Sequence, residues 1–286
     1  MNDSKVWLVT GAGGGMGASL TLAALSAGDA VVATGRRPDA IAEQLGAHER
    51  LLTTRLDVTD VAESGAAVDA AIDRFGRIDV LVNNAGASFK GFFEEMSPAQ
   101  VEQQLAANLI GPMNVTRAAL PVMRRQRSGH VVSISSGAGL IGFAYSSVYA
   151  ASKAGLEGWM SALGQEVEPF GIHTTIVNPG WFRTGLASPE SLIWPEITID
   201  DYAERSAEQK AWWQAQDGKQ AGDPDKLARA ILSIARGPKP PRRFIAGADV
   251  IAIAERKIAE LRDDVESYRE LSSSLSFDDR PATGPS

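Results

Sequence analysis

The sequence predicts an α/β fold: a doubly wound, predominantly seven-stranded parallel sheet with helices on both faces. Three observations carry that expectation. Short apolar runs of strand length recur up to residue 246, stretches of helical periodicity separate most of them, and glycine- or asparagine-rich turns follow the ends of the runs. In such sheets ligands bind beyond the carboxyl ends of the strands, which is where those turns fall.

Val6–Thr10 is the first strand, and it runs straight into Gly11-Ala12-Gly13-Gly14-Gly15-Met16-Gly17 and then a helix that stops at Gly28. Strand, glycine turn and helix together suit a pyrophosphate: glycine lets the backbone approach closely, and the helix start offers unpaired N–H groups and a positive dipole end. The second strand, Ala30–Thr34, ends at Gly35-Arg36-Arg37, with no carboxylate before Asp39. A carboxylate there would hold a ribose 2′-hydroxyl, whereas arginine suits a 2′-phosphate, so NADP is expected, with NAD possible. Leu51–Leu56 is the third strand, and Asp57-Val58 at its end is a plausible edge for an adenine ring.

A helix from Val61 to Phe75 leads to the fourth strand, Ile78–Val82, which closes in Asn83-Asn84-Ala85-Gly86. Ser97 and Pro98 are the cap and first residue of the next helix. Asn108 sits within it and must occupy a bend or serve a polar task, because asparagine is a poor helix-interior residue. His130–Ser135 is the fifth strand, with Ser136 at its tip. The helix that follows carries Tyr149 and Lys153 and runs to about Pro169, with Ala150, Ala151, Ala154, Gly155 and Gly158 small enough to admit a neighbouring helix.

Thr174–Val177 is the sixth strand, leading into Asn178-Pro179-Gly180-Trp181-Phe182-Arg183-Thr184. Residues of about 184–222 show no regular pattern, and Trp194, Trp212 and Trp213 within them, with Trp181 just before, indicate a substrate lid rather than disorder. A helix from Asp223 to Ala235 and a seventh strand, Arg243–Ala246, complete a single domain of residues 1–250. Ile251, Ala254, Ile258, Leu261, Val265 and Tyr268 then mark an amphipathic helix over 251–271, expected to pack on its own domain, and 272–286 form a flexible tail.

Composition narrows the function. With 286 residues and 44% hydrophobic content the chain can bury a large core, while a net charge of −7 disfavours nucleic acid or an anionic membrane as partner. The one basic cluster, Lys239, Arg242 and Arg243, is broken by prolines. The absence of cysteine excludes disulfides and thiolate catalysis, and no metal site is expected. Val6–Val9 is too short an apolar run for a signal peptide, and the uncharged run 128–152 is too rich in serine and glycine to span a bilayer; a cytoplasmic protein is the expectation.

Tyr149 and Lys153, four residues apart, share a helix face. A fixed ammonium favours phenolate, so the pair suits acid/base catalysis, although such spacing is also common among solvated helix residues.

Taken together, Thr10-Gly11, Gly15 and Gly17, the turn Asn83–Gly86, Asn108, Ser136, Tyr149 with Lys153, and Pro179-Gly180 with Thr184 resemble the motifs of the short-chain dehydrogenase/reductase family in its compact, single-domain branch, over residues 5–247. The resemblance implies a Rossmann-type fold and hydride transfer between NAD(P) and a small-molecule carbonyl or alcohol. It places the active-site serine thirteen residues before the tyrosine, at Ser136 rather than Ser135. It makes Tyr149 the general acid/base, Ser136 a hydrogen-bond donor to the reacting oxygen, Lys153 the ribose ligand that lowers the tyrosine pKa, and Asn108 the holder of a relay water. Gly11, Gly13, Gly14, Gly15, Met16, Gly17, Arg36, Arg37, Asp57, Val58, Asn84, Ala85, Gly86, Tyr149, Lys153, Pro179, Gly180 and Thr184 would bind the cofactor. Ser136, Phe143, Tyr149 and Trp181 would bind an apolar or aromatic substrate, and Tyr145, Phe182 and the lid tryptophans extend that aromatic character. The family resemblance further implies a homodimer or homotetramer formed through the helices of Asn108 and Tyr149. A non-catalytic dinucleotide sensor on the same fold would be expected to lack part of the serine, tyrosine and lysine set, and an NAD-preferring dehydrogenase is the other alternative.

Overall fold

A computed structural model describes residues 4–186, 188 and 191–277. Val6–Thr10 (β1), Ala30–Gly35 (β2), Leu51–Arg55 (β3), Val80–Asn83 (β4), Gly129–Ile134 (β6), Ile172–Pro179 (β7) and Arg243–Ala246 (β9) form a seven-stranded sheet. Its order is β3-β2-β1-β4-β6-β7-β9 and every neighbouring pair is parallel. The central strands are buried along their length, as Val-Trp-Leu-Val-Thr in β1 shows, because parallel strands are covered on both faces.

Gly15–Ser26 (α1), Pro38–Leu45 (α2) and Pro224–Arg236 (α8) cover one face, and Val61–Phe75 (α3), Gly111–Gln126 (α5) and Ser147–Val167 (α6) the other. Trp7, Val31, Val82 and Ile231 belong to the first core; Leu8, Leu81, Met123 and Met160 belong to the second. Alternation along β1 sends Trp7 and Leu8 to opposite layers. Because β2 and β4 lie on opposite sides of β1, the chain changes direction there and opens a crevice at the strand tips.

Three regions depart from expectation. The segment 184–222 is not patternless: it holds Leu192–Ile193 (β8), which pairs in parallel with Ser88–Phe89 (β5), and Ala203–Gln214 (α7). Its ends are tied where Arg183 N–H donates to Gly222 O (2.9 Å) and Gly222 N–H to Trp181 O (2.8 Å). Helix α7 has no buried residue, so its sequence has no apolar stripe to reveal it.

The carboxyl-terminal helix also differs. It spans Ala248–Ser267 (α9) and is followed by Arg269–Ser273 (α10). Only Val250 on α9 is buried, while Ile251, Ile258, Leu261, Val265 and Tyr268 are exposed, so most of its apolar side chains do not pack on the domain. Of the expected flexible tail, 272–273 belong to α10 and 278–286 lie outside the described residues. Among the described residues no helix is long and apolar enough to cross a membrane, and no group of three or more acidic or histidine side chains is placed to hold a metal.

Candidate active site

Helix Pro98–Leu105 (α4) starts at Ser97, which caps it in a reciprocal box with Gln100. It passes into a π-helical turn, Ala106–Ile110, before α5 begins at Gly111. Asn108 lies in this turn, fully buried, so it occupies an irregularity and has a polar task at once. Its Oδ1 accepts from Ala87 N–H (2.8 Å), while Nδ2 donates to Ala87 O (3.1 Å) and Ser152 Oγ (3.1 Å).

Gly15 opens α1 with φ +50, and a Cβ there would stand 2.7 Å from Thr184 O. At Gly14 a Cβ would meet nothing within 4 Å, so the turn leaves open space in front of the helix start. Asn84 ties this loop to the β4 tip: its Nδ2 donates to Thr10 O (2.9 Å) and Gly11 O (3.1 Å), while Thr10 Oγ1 accepts from the N–H groups of Asn84 and Ala85 (3.0 Å each).

Ser135 and Ser136 point apart. Ser135 Oγ donates to buried Glu157 Oε1 (2.6 Å), whereas Ser136 caps the short turn Gly137–Gly139, its Oγ accepting from Ala138 N–H (3.2 Å), and faces the same cavity as Tyr149. Burial raises the Tyr149 phenol above its ordinary value, and the neighbouring Ser136 hydroxyl offsets part of the rise. Lys153 Nζ donates to Ile134 O (2.8 Å) and stands 5.7 Å from the centre of the Tyr149 ring. Burial brings the Lys153 ammonium down to about 8, against an upward pull from Glu157 one turn along α6. For Tyr149 burial is thus the larger influence, with Ser136 acting against it, while the Lys153 ammonium is engaged with a carbonyl.

Beneath these groups buried Glu157 and Asn178 form a cluster that Arg243 closes from the surface. Asn178 Nδ2 donates to Glu157 Oε1 (2.6 Å) and to Ser136 O (2.8 Å), and Arg243 donates to both Glu157 and Asn178 Oδ1 (2.8 Å). Four elements, β6, α6, β7 and β9, are thereby fixed under Ser136.

One cavity joins the two halves of the site. Gly14, Gly15, Met16, Asn84, Gly86, Pro179, Gly180 and Thr184 line one end; Ser136, Phe143, Tyr149, Lys153, Trp181 and Phe182 also face it. Gly11, Gly13, Gly17, Ala85 and Asn108 support the cavity from behind, and Arg36, Arg37, Asp57 and Val58 lie outside it at the β2 and β3 tips. There Arg36 and Arg37 are exposed. Asp57 would be raised by burial, but hydrogen bonds from Thr59 and the charges of Arg36 and Arg55 hold its carboxyl below the ordinary value. Tyr145 is absent from the cavity wall; its buried ring packs edge-on against Phe92.

Two lining residues, Lys90 and Asp249, gave no sequence signal. Lys90 is buried, and nothing in a two-residue strand distinguishes it from a surface lysine. Trp213 stacks on Trp181, with ring centres 5.2 Å apart, and brings the lid over the site. Asp249, from the start of α9, accepts Trp181 N–H (2.8 Å), and a Cβ on Gly180 would lie 2.0 Å from its Oδ1. The carboxyl-terminal helix, expected from residue 251, thus begins at Ala248 as part of the cavity wall.

A parallel α/β fold with a glycine-turn crevice, and a serine, tyrosine and lysine facing one cavity, define an NAD(P)-dependent oxidoreductase acting on CH–OH or C=O groups. The short chain dehydrogenase family model matches residues 5–192. An oxidoreductase from Botryotinia fuckeliana, BOA17, is 34% identical over 94% of this chain and 98% of its own. A 3-ketodihydrosphingosine reductase from Bacteroides thetaiotaomicron is 32% identical over 92% and 96%. The crystal structure of a short-chain dehydrogenase from Streptomyces avermitilis superposes with a TM-score of 0.86 at 37% identity, covering 96% of this chain and 99% of that one. The chain belongs to the short-chain dehydrogenase/reductase family.

Proposed function

We propose that the protein is an NADP(H)-dependent carbonyl reductase or alcohol dehydrogenase acting on an apolar or aromatic substrate, with Tyr149 as its general acid/base. The observation that carries this reading is that Ser136, Tyr149 and Lys153 face one cavity together with the open glycine turn.

The crevice fits a dinucleotide: Gly14 leaves room for phosphate where the first N–H groups of α1 point, and Pro179-Gly180 and Thr184 face the same cavity. When bound, the nicotinamide supplies or accepts the hydride. The protein's own groups then handle the proton. Tyr149, kept protonated by burial, donates to a substrate oxygen, and Ser136 donates a hydrogen bond to the same oxygen as negative charge grows there. Lys153 would hold the nicotinamide ribose, with Glu157 keeping it charged. Asn108 fixes the 86–88 turn beside Lys153 and would position a relay water there.

Arg36 and Arg37 would take the 2′-phosphate, supported by Arg55, whose guanidinium donates to Arg36 O (2.9 Å). Asp57 and Val58 would border the adenine. Phe143, Trp181, Phe182 and Trp213 supply the apolar wall. The exposed small residues Ala151, Ala154 and Gly158 on α6 would form the face of a homodimer or homotetramer in a cytoplasmic enzyme. The test follows nicotinamide absorbance with NADPH and NADH over a panel of aryl and alkyl ketones, aldehydes and alcohols. NADPH-dependent turnover that Tyr149→Phe abolishes is expected; substantial turnover by that variant overturns the assignment.

A further inference from the structure

Lys90 is a charged group that the proton chemistry above does not use. It is 3% exposed, and its Nζ has a single hydrogen-bond partner among the described residues, Ser146 Oγ at 3.0 Å. Two of its three N–H donors are left without one, and no carboxylate forms an ion pair with it among those residues. Nζ lies 4.0 Å from the centre of the Trp213 ring and 4.7 Å from that of Tyr149, and it lines the same cavity.

Two segments hold the lysine there. Its backbone N–H donates to Ile193 O (2.9 Å) and the next N–H, of Gly91, to Tyr145 O (3.1 Å), so the lid strand and the loop before α6 both grip it. Tyr145 adopts φ +65, a left-handed conformation unfavourable for a bulky residue, and the following residue is Ser146. Strain of this kind persists where the surrounding structure enforces it, and here it presents Ser146 to Lys90. Burial draws the Lys90 ammonium down to about 7, since no anion offsets its desolvation. Gln220, at the far end of the lid, lines the cavity as well and has a buried Oε1 without a hydrogen-bond partner among the described residues.

A buried cation short of partners, facing the ring that carries the proton donor, is complementary to an anion on the substrate. We propose that Lys90, with Ser146, is the anchor for a substrate carboxylate, so that the enzyme acts on apolar or aryl oxo acids and the matching hydroxy acids. A single ammonium and one hydroxyl suit a monoanion; a phosphate dianion calls for more donors than this wall provides. The aromatic wall of Phe143, Trp181 and Trp213 would cover the apolar remainder. The proposal rests on the carbonyl-reductase reading for the place of the reacting oxygen, at Ser136 and Tyr149.

The test compares benzoylformate with its methyl ester, which differ in the charge. In the wild-type holoenzyme kcat/KM for the acid should exceed that for the ester at least about tenfold, a ratio that Lys90→Met and Lys90→Gln bring to about one. Quenching of tryptophan fluorescence by each compound with NADP+ bound supplies a readout independent of turnover. Benzoylformate should bind at least about tenfold more tightly than the ester, and either variant should remove the difference. Wild-type enzyme without acid preference in rate or binding overturns the proposal even if neutral ketones are reduced, and so does a preference that survives in both variants. Lys90-dependent binding of benzoylformate without reduction of any carbonyl upholds the anion anchor and removes the reductase assignment instead.

Discussion

The two ends of the cavity are built in different ways. At the cofactor end, turns at neighbouring strand tips meet: Gly14 and Gly15 follow β1, Asn84 and Gly86 follow β4, and Pro179 and Gly180 close β7. At the substrate end Lys90, Phe143, Trp181, Trp213 and Gln220 come from the β5 region, the loop before α6, and both the stem and the helix of the lid. The first end relies on backbone shape, held by the sheet itself. The second relies on side chains that meet only because the lid closes on its paired stem, and this is where specificity can vary without disturbing the proton chemistry.

Tyr149→Phe breaks the comparison most sharply. It should lower kcat by about 10³-fold while the NADP dissociation constant stays within about threefold, since it removes the proton donor and leaves the glycine crevice intact. Gly15→Ala should act the other way. Its backbone is left-handed and the new methyl would meet Thr184, so cofactor affinity should fall by at least about tenfold and stability by roughly 1–3 kcal/mol, read by titration and thermal melting. Arg36→Asp should lower the NADP-over-NAD preference in kcat/KM by about tenfold or more; an unchanged preference would remove Arg36 from the phosphate site.

A smaller effect is expected beneath the site. Glu157 raises the Lys153 pKa, so Glu157→Gln should lower it further from about 8. If charged Lys153 is needed, the alkaline limb of the kcat/KM profile for reduction should move to lower pH by about one unit, whereas a purely structural role would reduce activity equally at all pH values. The smallest effect should come from Leu261→Ser. Leu261 is 50% exposed on α9, and a stability change within about 0.5 kcal/mol would mark this part of the helix as separate from the fold; a large loss at low protein concentration would show it packed in an interface.

Legibility follows the same division. The glycine turn, the Asn-Asn-Ala-Gly turn and the tyrosine–lysine spacing were visible because each is local: a few consecutive residues fix the turn or the shared helix face. Even Asn108 stood out, through its misfit with a helix interior. Lys90 and Asp249 were hidden because their roles depend on neighbours 56 or more positions away, Ser146 for Lys90 and Trp181 for Asp249. The exposed stripe of α9 shows the opposite failure: amphipathic spacing records that a face is apolar, without stating what it meets.

The seven strands and their parallel arrangement, the crevice at their carboxyl ends and the serine, tyrosine and lysine that face it follow from the sequence by itself, since periodicity and turn chemistry act over short range. Only the tertiary structure decided that burial raises the Tyr149 phenol, that desolvation lowers the Lys153 ammonium to about 8, and that a second ammonium stands beside the tyrosine ring. Those properties depend on solvent exclusion and on distances between remote segments, which arise only when the lid and the sheet are packed together.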